Sequence, residues 1–230
     1  MTVKAPETGP GLCFSGRSDD FLGTDLDEDR WTVTNRDQNL VVRDGRLVVP
    51  TATRDFYGTD NTAVPNLVLQ DLPDGPFTAT AKVTLPARQQ YQQAGLLIWE
   101  DQDNYAKMVL QGRSAAADPA TRIFQFIREE NAQPNEVNES NSAALGADYP
   151  DTVYVRFVSD GASLQAAYSA DGIDFTTMPQ TKSIADLENA KIGLVALKGN
   201  NTTTPVVDAA FDWVLMPPAA TAAAPGPAGP

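Results

Sequence analysis

Apolar and polar residues alternate along much of this chain, and the alternation has a period of two residues. From Phe77 to Leu85 every odd-numbered residue is apolar, whereas the residues between them are three threonines and one lysine. Such a pattern is typical of an antiparallel strand that buries one face and exposes the other. Shorter runs predict further strands at Asn39–Arg43, Arg46–Pro50, Asn66–Gln70, Gln92–Glu100, Asn104–Gln111, Arg122–Arg128, Val153–Ser159, Ser163–Ser169, Lys191–Leu197 and Val206–Leu215.

Turn signals separate these predicted strands, and helix signals are scarce. The dipeptides Asp44-Gly45, Asp160-Gly161 and Asp171-Gly172 lie between strands, and Asp-Gly favours the positive φ angles of tight hairpins. The segment Thr181–Asn189 predicts at most a minor helix, with Ser183 as its N-cap. Many short strands joined by such turns predict an all-β sandwich or barrel.

The length and the two termini suggest the domain organisation. A chain of 230 residues fits one all-β domain with a substantial core. We predict an N-terminal extension at 1–17, a β-sandwich domain at 18–216 and a linker or disordered tail at 217–230, where only Ala, Pro, Gly and Thr occur. Polar segments at 114–121 and 129–148 predict loops at the rim of the domain.

The charge and the termini limit the partners and the compartment. The formal net charge of -13 opposes binding to nucleic acid or to anionic membranes. No apolar run reaches the roughly 18 residues that a membrane span needs, and the first residues lack the features of a signal peptide. Because Ala-Pro-Thr spacers frequently separate modules of secreted bacterial enzymes, we expect an extracellular module of a larger, bacterial protein.

The absence of histidine excludes several kinds of catalysis within this chain. Ser-His-Asp and Cys-His mechanisms need an imidazole base, and zinc or copper sites built on imidazole are excluded as well. The single cysteine, Cys13, can form no intrachain disulfide. Carboxylate, lysine or tyrosine chemistry remains.

Several short motifs occur in an order that resembles one known family. They are Ser18-Asp19-Asp20-Phe21, Arg30-Trp31, Asp44-Gly45-Arg46-Leu47, Tyr91–Met108, Tyr168–Gly172 with Phe175, Lys191–Leu194 and Phe211-Asp212. Together they resemble the concanavalin A-like β-sandwich family related to the regulation-of-enolase-protein domain and to the C-terminal sandwich of some β-xylosidases. The resemblance implies a jelly roll of two antiparallel sheets, whose concave face often meets sugars in relatives. It also implies attachment to glycoside hydrolases or other secreted bacterial proteins.

The two strands on either side of Glu100–Asn104 contain side chains suited to sugar recognition. Sugars are bound by aromatic faces together with amide and charged groups that direct hydrogen bonds to hydroxyls. We assign Gln93, Trp99 and Lys107 to the concave face, because a buried face favours the aliphatic residues that alternate with them. Tyr57, Arg156 and Tyr168 are further candidates at the rim of the same face. The alternatives are that Trp99 packs under a loop, that Lys107 pairs with an acid, and that the rim residues are structural.

The resemblance also implies a place for a structural calcium ion. In related sandwiches such an ion is often held where the N-terminal segment, an early hairpin and the last strand converge. The corresponding positions here are Asp20, Gly45 and Asp212, and Ca²⁺ prefers oxygen ligands of this kind. The alternative is that Asp212 faces solvent.

The predicted function is a non-catalytic carbohydrate-binding or accessory module that recognises a polysaccharide or oligosaccharide beside a linked catalytic domain. A glycoside hydrolase needs two carboxylates facing one bond, and no apolar strand here carries acids at alternate positions. Glu100, Asp101 and Asp103 instead fall in a predicted hairpin turn. Two alternatives remain, which are a glycoside hydrolase of concanavalin A-like fold and a structural interaction domain that packs on a catalytic domain.

Overall fold

The computed structural model describes residues 16–59, 63–113, 121–134 and 141–217. No helix in these ranges is long and apolar enough to cross a membrane. The same ranges contain fifteen β-strands: β1 Thr32–Thr34, β2 Val41–Arg43, β3 Arg46–Pro50, β4 Leu67–Asp71, β5 Phe77–Thr84, β6 Gln93–Asp101, β7 Asn104–Gly112, β8 Arg122–Glu130, β9 Gln133–Pro134, β10 Ser142–Ala144, β11 Thr152–Ser159, β12 Ser163–Ser169, β13 Thr176–Ser183, β14 Lys191–Leu197 and β15 Asp208–Leu215.

The strands form two antiparallel sheets, as the alternating pattern predicts. The eight-stranded sheet has the order β1-β4-β14-β6-β7-β8-β10, with β9 paired to β8. The seven-stranded sheet has the order β13-β12-β11-β5-β15-β3-β2. The all-β, concanavalin A-like jelly-roll sandwich predicted for this chain is therefore confirmed.

The main core lies between the two sheets. From the eight-stranded sheet it contains Leu96, Ile98 and Met108, and from the seven-stranded sheet it contains Val83 and Phe157, each with no exposed surface. Because side chains of successive strand residues point to opposite faces, the odd-numbered residues of β6 and β7 face away from this core. The predicted division of β6 and β7 into a core face and an outer face is thus confirmed.

A second apolar cluster covers the outer face of the eight-stranded sheet. The connection between β3 and β4, residues 51–59 and 63–66, folds back over this face and is called the cover segment below. Its Phe56 has no exposed surface and packs in one cluster with Leu97, Tyr105 and Val109. The start of the segment pairs with the end of β14, where Lys198 donates a backbone hydrogen bond of 2.8 Å to the Ala52 carbonyl. The outer face is therefore largely buried.

The segment Thr181–Asn189, for which the sequence predicted at most a minor helix, contains no helix. Strand β13 continues to Ser183, and a turn follows in which Leu187 donates its backbone N–H to the Ile184 carbonyl at 3.2 Å. The polar composition of β13 hides it from the alternating pattern, because it forms the edge of its sheet and buries few residues. The ladder with β12 stabilises it instead.

The predicted rim loops are only partly tested. Residues 114–120 and 135–140 lie outside the described residues, as do most of the N-terminal extension and of the C-terminal tail. Within 129–148 the structure corrects the prediction of a loop. Glu129 and Glu130 are the last two residues of β8, and the short strands β9 and β10 follow. Each pairs with β8, and their shortness explains why the sequence pattern missed them. Strand β1, which is also short, was missed for the same reason.

Candidate functional site

A cavity of about 340 Å³ opens on the outer face of the eight-stranded sheet. Its floor is made by β6, β7 and β8. Its walls come from the cover segment, from the connection between β14 and β15, and from Tyr91 and Arg113 next to the ends of β6 and β7. Polar side chains dominate the lining, which is unusual for a face that is otherwise covered by apolar residues. The lining consists of Asp55, Tyr57, Tyr91, Gln93, Lys107, Gln111, Arg113, Gln125, Gly199, Asn200 and Asn201.

Gln93 and Lys107 form a hydrogen-bonded pair in the floor of the cavity. The Lys107 ammonium donates to Gln93 Oε1 at 2.9 Å, and Gln93 Nε2 donates to the Tyr91 carbonyl at 3.4 Å. Lys107 is only 1% exposed, and its Nζ lies 5.3 Å from the centroid of the Phe56 ring. Buried polar groups are held in place by such partners. The pair therefore gives the floor a defined orientation.

Gln111 lies across from Gln93 on the neighbouring strand and provides a buried acceptor. The two residues are paired in the register of β6 with β7, and Gln111 is 3% exposed. Gln111 Oε1 is buried and has no hydrogen-bond partner among the described residues. Because a buried carbonyl without a partner is costly, it favours a ligand that can donate a hydrogen bond there.

Tyr91 forms part of the wall in a strained backbone conformation. Its φ angle is 69°, which lies in the left-handed region that bulky residues seldom adopt, and its side chain is 37% exposed. Its backbone N–H donates to the Gly112 carbonyl at 2.8 Å, which holds the conformation. Strain of this kind is concentrated at functional sites. An exposed tyrosine ring thus remains at the mouth of the cavity.

Glu129 ties the cover segment to the sheet beneath it. This residue of β8 has no exposed surface, and its Oε2 accepts hydrogen bonds from the Tyr105 hydroxyl at 2.9 Å and from the Gly58 backbone N–H at 3.0 Å. Burial raises the pKa of the Glu129 carboxyl, although these two donors and Lys107 act in the opposite direction. Burial, together with the Glu129 charge, also raises the pKa of Tyr105.

The structure brings some of the predicted binding residues together. Tyr57, Gln93 and Lys107 line one cavity. Trp99 lies on the same strand face as Gln93, but it is not part of the lining, and its ring packs edge-on against Phe56 with centroids 5.0 Å apart. This contact matches the alternative that Trp99 packs under a loop. Its contact with glycan stays a prediction.

The prediction that Arg156 and Tyr168 share this face is wrong. Both lie in the seven-stranded sheet, on β11 and β12. Arg156 stacks on Phe175, with its guanidinium carbon 3.5 Å from the ring centroid, and Tyr168 stacks on Phe124 at 4.3 Å. Residue type alone cannot assign a strand to one sheet or the other, because the order of the strands decides it.

The sequence did not single out Asp55, Tyr91, Gln111, Arg113 and the other remaining lining residues. For Gln111 a signal was present, since its odd-numbered position on β7 places it on the same face as Lys107. The lining residues that lie in connections between strands carried no such signal. Their position depends on how those connections fold over the sheet.

The three segments predicted to hold calcium do converge. The backbone of Asp19 bridges that of Val214, and β3 pairs with β15. However, Arg46 Nε donates to Asp212 Oδ1 at 3.0 Å, and Asp212 is 1% exposed. Lys82 Nζ lies 3.9 Å from the other carboxylate oxygen.

The residues at this place do not fit a calcium ion well, because two cationic side chains already neutralise the carboxylate. The Asp20 carboxylate accepts a hydrogen bond from the Leu22 backbone N–H at 3.3 Å, and Gly45 occupies a hairpin turn with a φ of 67°. No group of three or more His, Cys, Asp or Glu residues within the described ranges is arranged to hold a metal. Calcium binding through Asp20, Gly45 and Asp212 stays a prediction.

The calcium prediction can be tested by thermal unfolding. Binding to the native state alone raises stability by mass action, so bound calcium should raise the Tm of chelator-treated protein. Magnesium at the same concentration is the control, because it demands a smaller, octahedral site. An equal Tm with and without calcium contradicts the prediction.

Solved structures with this fold include parts of glycoside hydrolases. A GH43 protein of Bacillus licheniformis matches with a TM-score of 0.73 at 17% identity, over 87% of this chain and 39% of that one. A xylan β-1,4-xylosidase of Bacillus halodurans matches with a TM-score of 0.70 at 14% identity, over 88% of this chain and 39% of that one. The chain therefore spans about two-fifths of the length of these proteins, and the likeness shows the fold.

A further solved structure of similar length is the catalytic domain of an endo-1,3-β-glucanase, a laminarinase, from Thermotoga petrophila. It matches with a TM-score of 0.58 at 12% identity, over 89% of this chain and 96% of that one. No curated protein matches the chain.

One family matches this sequence directly, and it covers most of the chain. The family is described as the β-xylosidase C-terminal concanavalin A-like domain, and it matches residues 18–216. The predicted resemblance to the C-terminal sandwich of β-xylosidases is thereby confirmed, whereas the relation to the regulation-of-enolase-protein domain stays a prediction. The chain belongs to the family of β-xylosidase C-terminal concanavalin A-like domains.

Proposed function

We propose that this chain is a non-catalytic module that binds glycan in the cavity on the outer face of its eight-stranded sheet. The observation that carries the proposal is Gln111, which lines the cavity and whose buried Oε1 has no hydrogen-bond partner among the described residues. A sugar hydroxyl supplies the donor that this oxygen needs. The proposal also includes an extracellular location and a larger, secreted parent protein.

The remaining lining residues suit a sugar in the same way. The Tyr57 and Tyr91 rings provide apolar surface for the C–H faces of a pyranose, while the amides of Gln93, Gln125 and Asn200 direct hydrogen bonds to hydroxyls. The volume of about 340 Å³ falls in the range of small-molecule sites. Binding of this kind is reversible, and it raises the substrate concentration near a linked catalytic domain.

The arrangement of acids favours binding over hydrolysis. Glycoside hydrolysis uses two carboxylates on either side of one bond. Among the described residues the cavity lining contains one carboxylate, that of Asp55, and Glu129 lies buried beneath the cover segment. The alternative of a glycoside hydrolase is therefore less well supported than a binding module.

Calorimetric titration with neutral and charged oligosaccharides from plant, fungal and bacterial polysaccharides tests the proposal. We expect Gln111→Leu to weaken binding about tenfold, because the hydroxyl loses its acceptor while the side-chain volume is nearly kept. Gln165→Leu on β12 of the other sheet is the matched control, and it should bind as the unchanged protein does. The Tm of each variant shows whether it is folded.

The proposal fails if no oligosaccharide binds, or if Gln93→Ala and Gln111→Leu both bind with unchanged affinity. A second candidate function is then favoured, in which the domain packs on a catalytic domain and has no glycan affinity of its own. The observation behind this second candidate is the length of the GH43 relatives, of which the chain covers 39%. It is tested by whether a separately produced GH43 catalytic domain of the parent protein binds the module and gains stability.

A further inference from the structure

The lining of the cavity differs in charge from the rest of the molecule. The chain as a whole carries a formal net charge of -13. The cavity lining nevertheless includes two cationic side chains, Lys107 and Arg113, and one carboxylate, that of Asp55. An excess of positive charge in a concave site attracts anions, and the low-dielectric walls strengthen the effect. The glycan that fits this site is therefore expected to carry negative charge.

Arg113 is placed to bind such a group. It follows the end of β7, and its backbone N–H donates to the Thr121 carbonyl at 3.0 Å, which fixes the start of the side chain. Its guanidinium is exposed and forms no hydrogen bond or ion pair with the residues that the structure describes. By contrast, Arg88 and Arg122 both pair with Asp151. Arg113 is thus an arginine of the cavity lining whose guanidinium has no partner within the described part of the chain.

The spacing of Arg113 and Gln111 suits one sugar unit. Residues two apart on an extended strand lie on the same side, about 6.8 Å apart. A sugar ring placed between them can donate a hydroxyl to Gln111 Oε1 and present a substituent to Arg113. A guanidinium binds a carboxylate through two parallel hydrogen bonds.

Asp55 offsets one of the two positive charges in the lining and leaves an excess of one. Its Oδ1 accepts hydrogen bonds from the backbone N–H groups of Phe56 at 2.9 Å and of Tyr57 at 3.2 Å. This oxygen is therefore turned toward the backbone of the cover segment. Lys107, held in the floor by Gln93, lines the same cavity as Arg113.

We propose that the cavity selects glycans that contain uronic acid, and that Arg113 is the residue that binds the carboxylate. The inference rests on the proposed glycan-binding function and narrows its ligand class. It predicts that affinity depends on the charge of the sugar and on the ionic strength. It also predicts that loss of Arg113 reduces the preference for charged glycans more than it reduces the affinity for neutral ones.

The test compares ligands that differ only in the charge of the carboxyl group. Calorimetric titrations of the full chain use oligogalacturonides and glucuronic-acid-substituted xylo-oligosaccharides, each as the free acid and as the methyl ester, together with a sulfated galacto-oligosaccharide. For at least one of the two oligosaccharide types, we expect the free acid to bind about tenfold more tightly than the methyl ester at low salt. This difference in affinity should shrink as salt is added. Arg113→Gln should bring the ratio of the two affinities close to one.

Arg43→Gln is the matched control, because Arg43 is exposed on β2 of the other sheet and lies outside the cavity. This variant should keep the full preference for the acid. Equal binding of acid and ester by the unchanged protein overturns the inference but leaves glycan binding intact, and so does a preference that survives Arg113→Gln. Equal binding of the sulfated oligosaccharide overturns the selectivity for carboxylate. If no oligosaccharide binds, neutral or charged, the proposed function itself fails.

Discussion

Replacing Phe56 with alanine should destabilise the protein by about 3–5 kcal/mol and abolish glycan binding. The Phe56 ring has no exposed surface, and its centroid lies 4.5 Å from that of Tyr105 and 5.0 Å from that of Trp99. It is the central apolar contact between the cover segment and the sheet. Without it, Asp55 and Tyr57 lose the anchor that holds them in the cavity wall.

Urea unfolding measures the loss of stability, and amide hydrogen exchange in residues 51–59 measures the opening of the cover segment. Phe56→Leu is the matched control, since it keeps most of the apolar volume and should retain most of the stability. Phe175→Ala, in the connection between β12 and β13 of the other sheet, removes the same ring type and should leave glycan affinity unchanged. If Phe56→Ala binds glycan as tightly as the unchanged protein, the cover segment is not part of the site.

The second large effect is expected at Glu129. Glu129→Ala leaves the Tyr105 hydroxyl and the Gly58 backbone N–H without their buried acceptor. The loss of two such hydrogen bonds should cost about 2–4 kcal/mol and loosen the cover segment. Glu129→Gln keeps an acceptor in the same place, so it should retain more of the stability than Glu129→Ala does. Equal stability of Glu129→Ala and the unchanged protein contradicts this role.

The same carboxyl should make stability depend on pH in a particular direction. Burial raises the pKa of Glu129 above its ordinary value of 4.5, so the folded state holds the proton to a higher pH than the unfolded state does. Between pH 4.5 and the raised pKa, the folded state therefore binds more protons than the unfolded state does. The contribution of Glu129 to stability falls as the pH rises through this range. Below pH 4.5 both states are protonated and the contribution is constant.

Chemical unfolding at a series of pH values, compared between the unchanged protein and Glu129→Gln, isolates this contribution. The free energy of unfolding of the unchanged protein minus that of Glu129→Gln should decrease from pH 4.5 upward and level off above the raised pKa. Other carboxyls contribute equally to both proteins and cancel. A difference that increases with pH would show that the pKa of Glu129 is lowered rather than raised.

Local sequence pattern predicted the strands that form the centre of each sheet. Strands β5 and β11 alternate apolar and polar residues, whereas β6, β7 and β14 are largely apolar; each of the five has a buried apolar inner face and lies inside its sheet. The edge strand β13 lacks such a face, so the alternating pattern did not predict it. Pattern analysis therefore succeeded where burial was high and failed where hydrogen bonding to one neighbour determines the structure.

The candidate site was predicted in part, for a related reason. Gln93 and Lys107 are polar residues on strands whose other face is apolar, and the alternation alone places them on the outer face. That they would be buried was not predictable, because the burial comes from Phe56 in a connection 37 residues before Gln93 in sequence. Arg156 has the same local pattern as Lys107, yet it lies on the other sheet.

By itself, the sequence determined the all-β class, the inner and outer faces of the central strands and the exclusion of histidine-based chemistry within this chain. These features depend on residue type and on a period of two, which are local properties. The tertiary structure decided which strands became neighbours, how the cover segment folded over the sheet, and that Tyr91, Gln111 and Arg113 meet around one cavity. Such contacts join residues distant in sequence, and they depend on the sheet order and on the packing of connections, which no local period encodes.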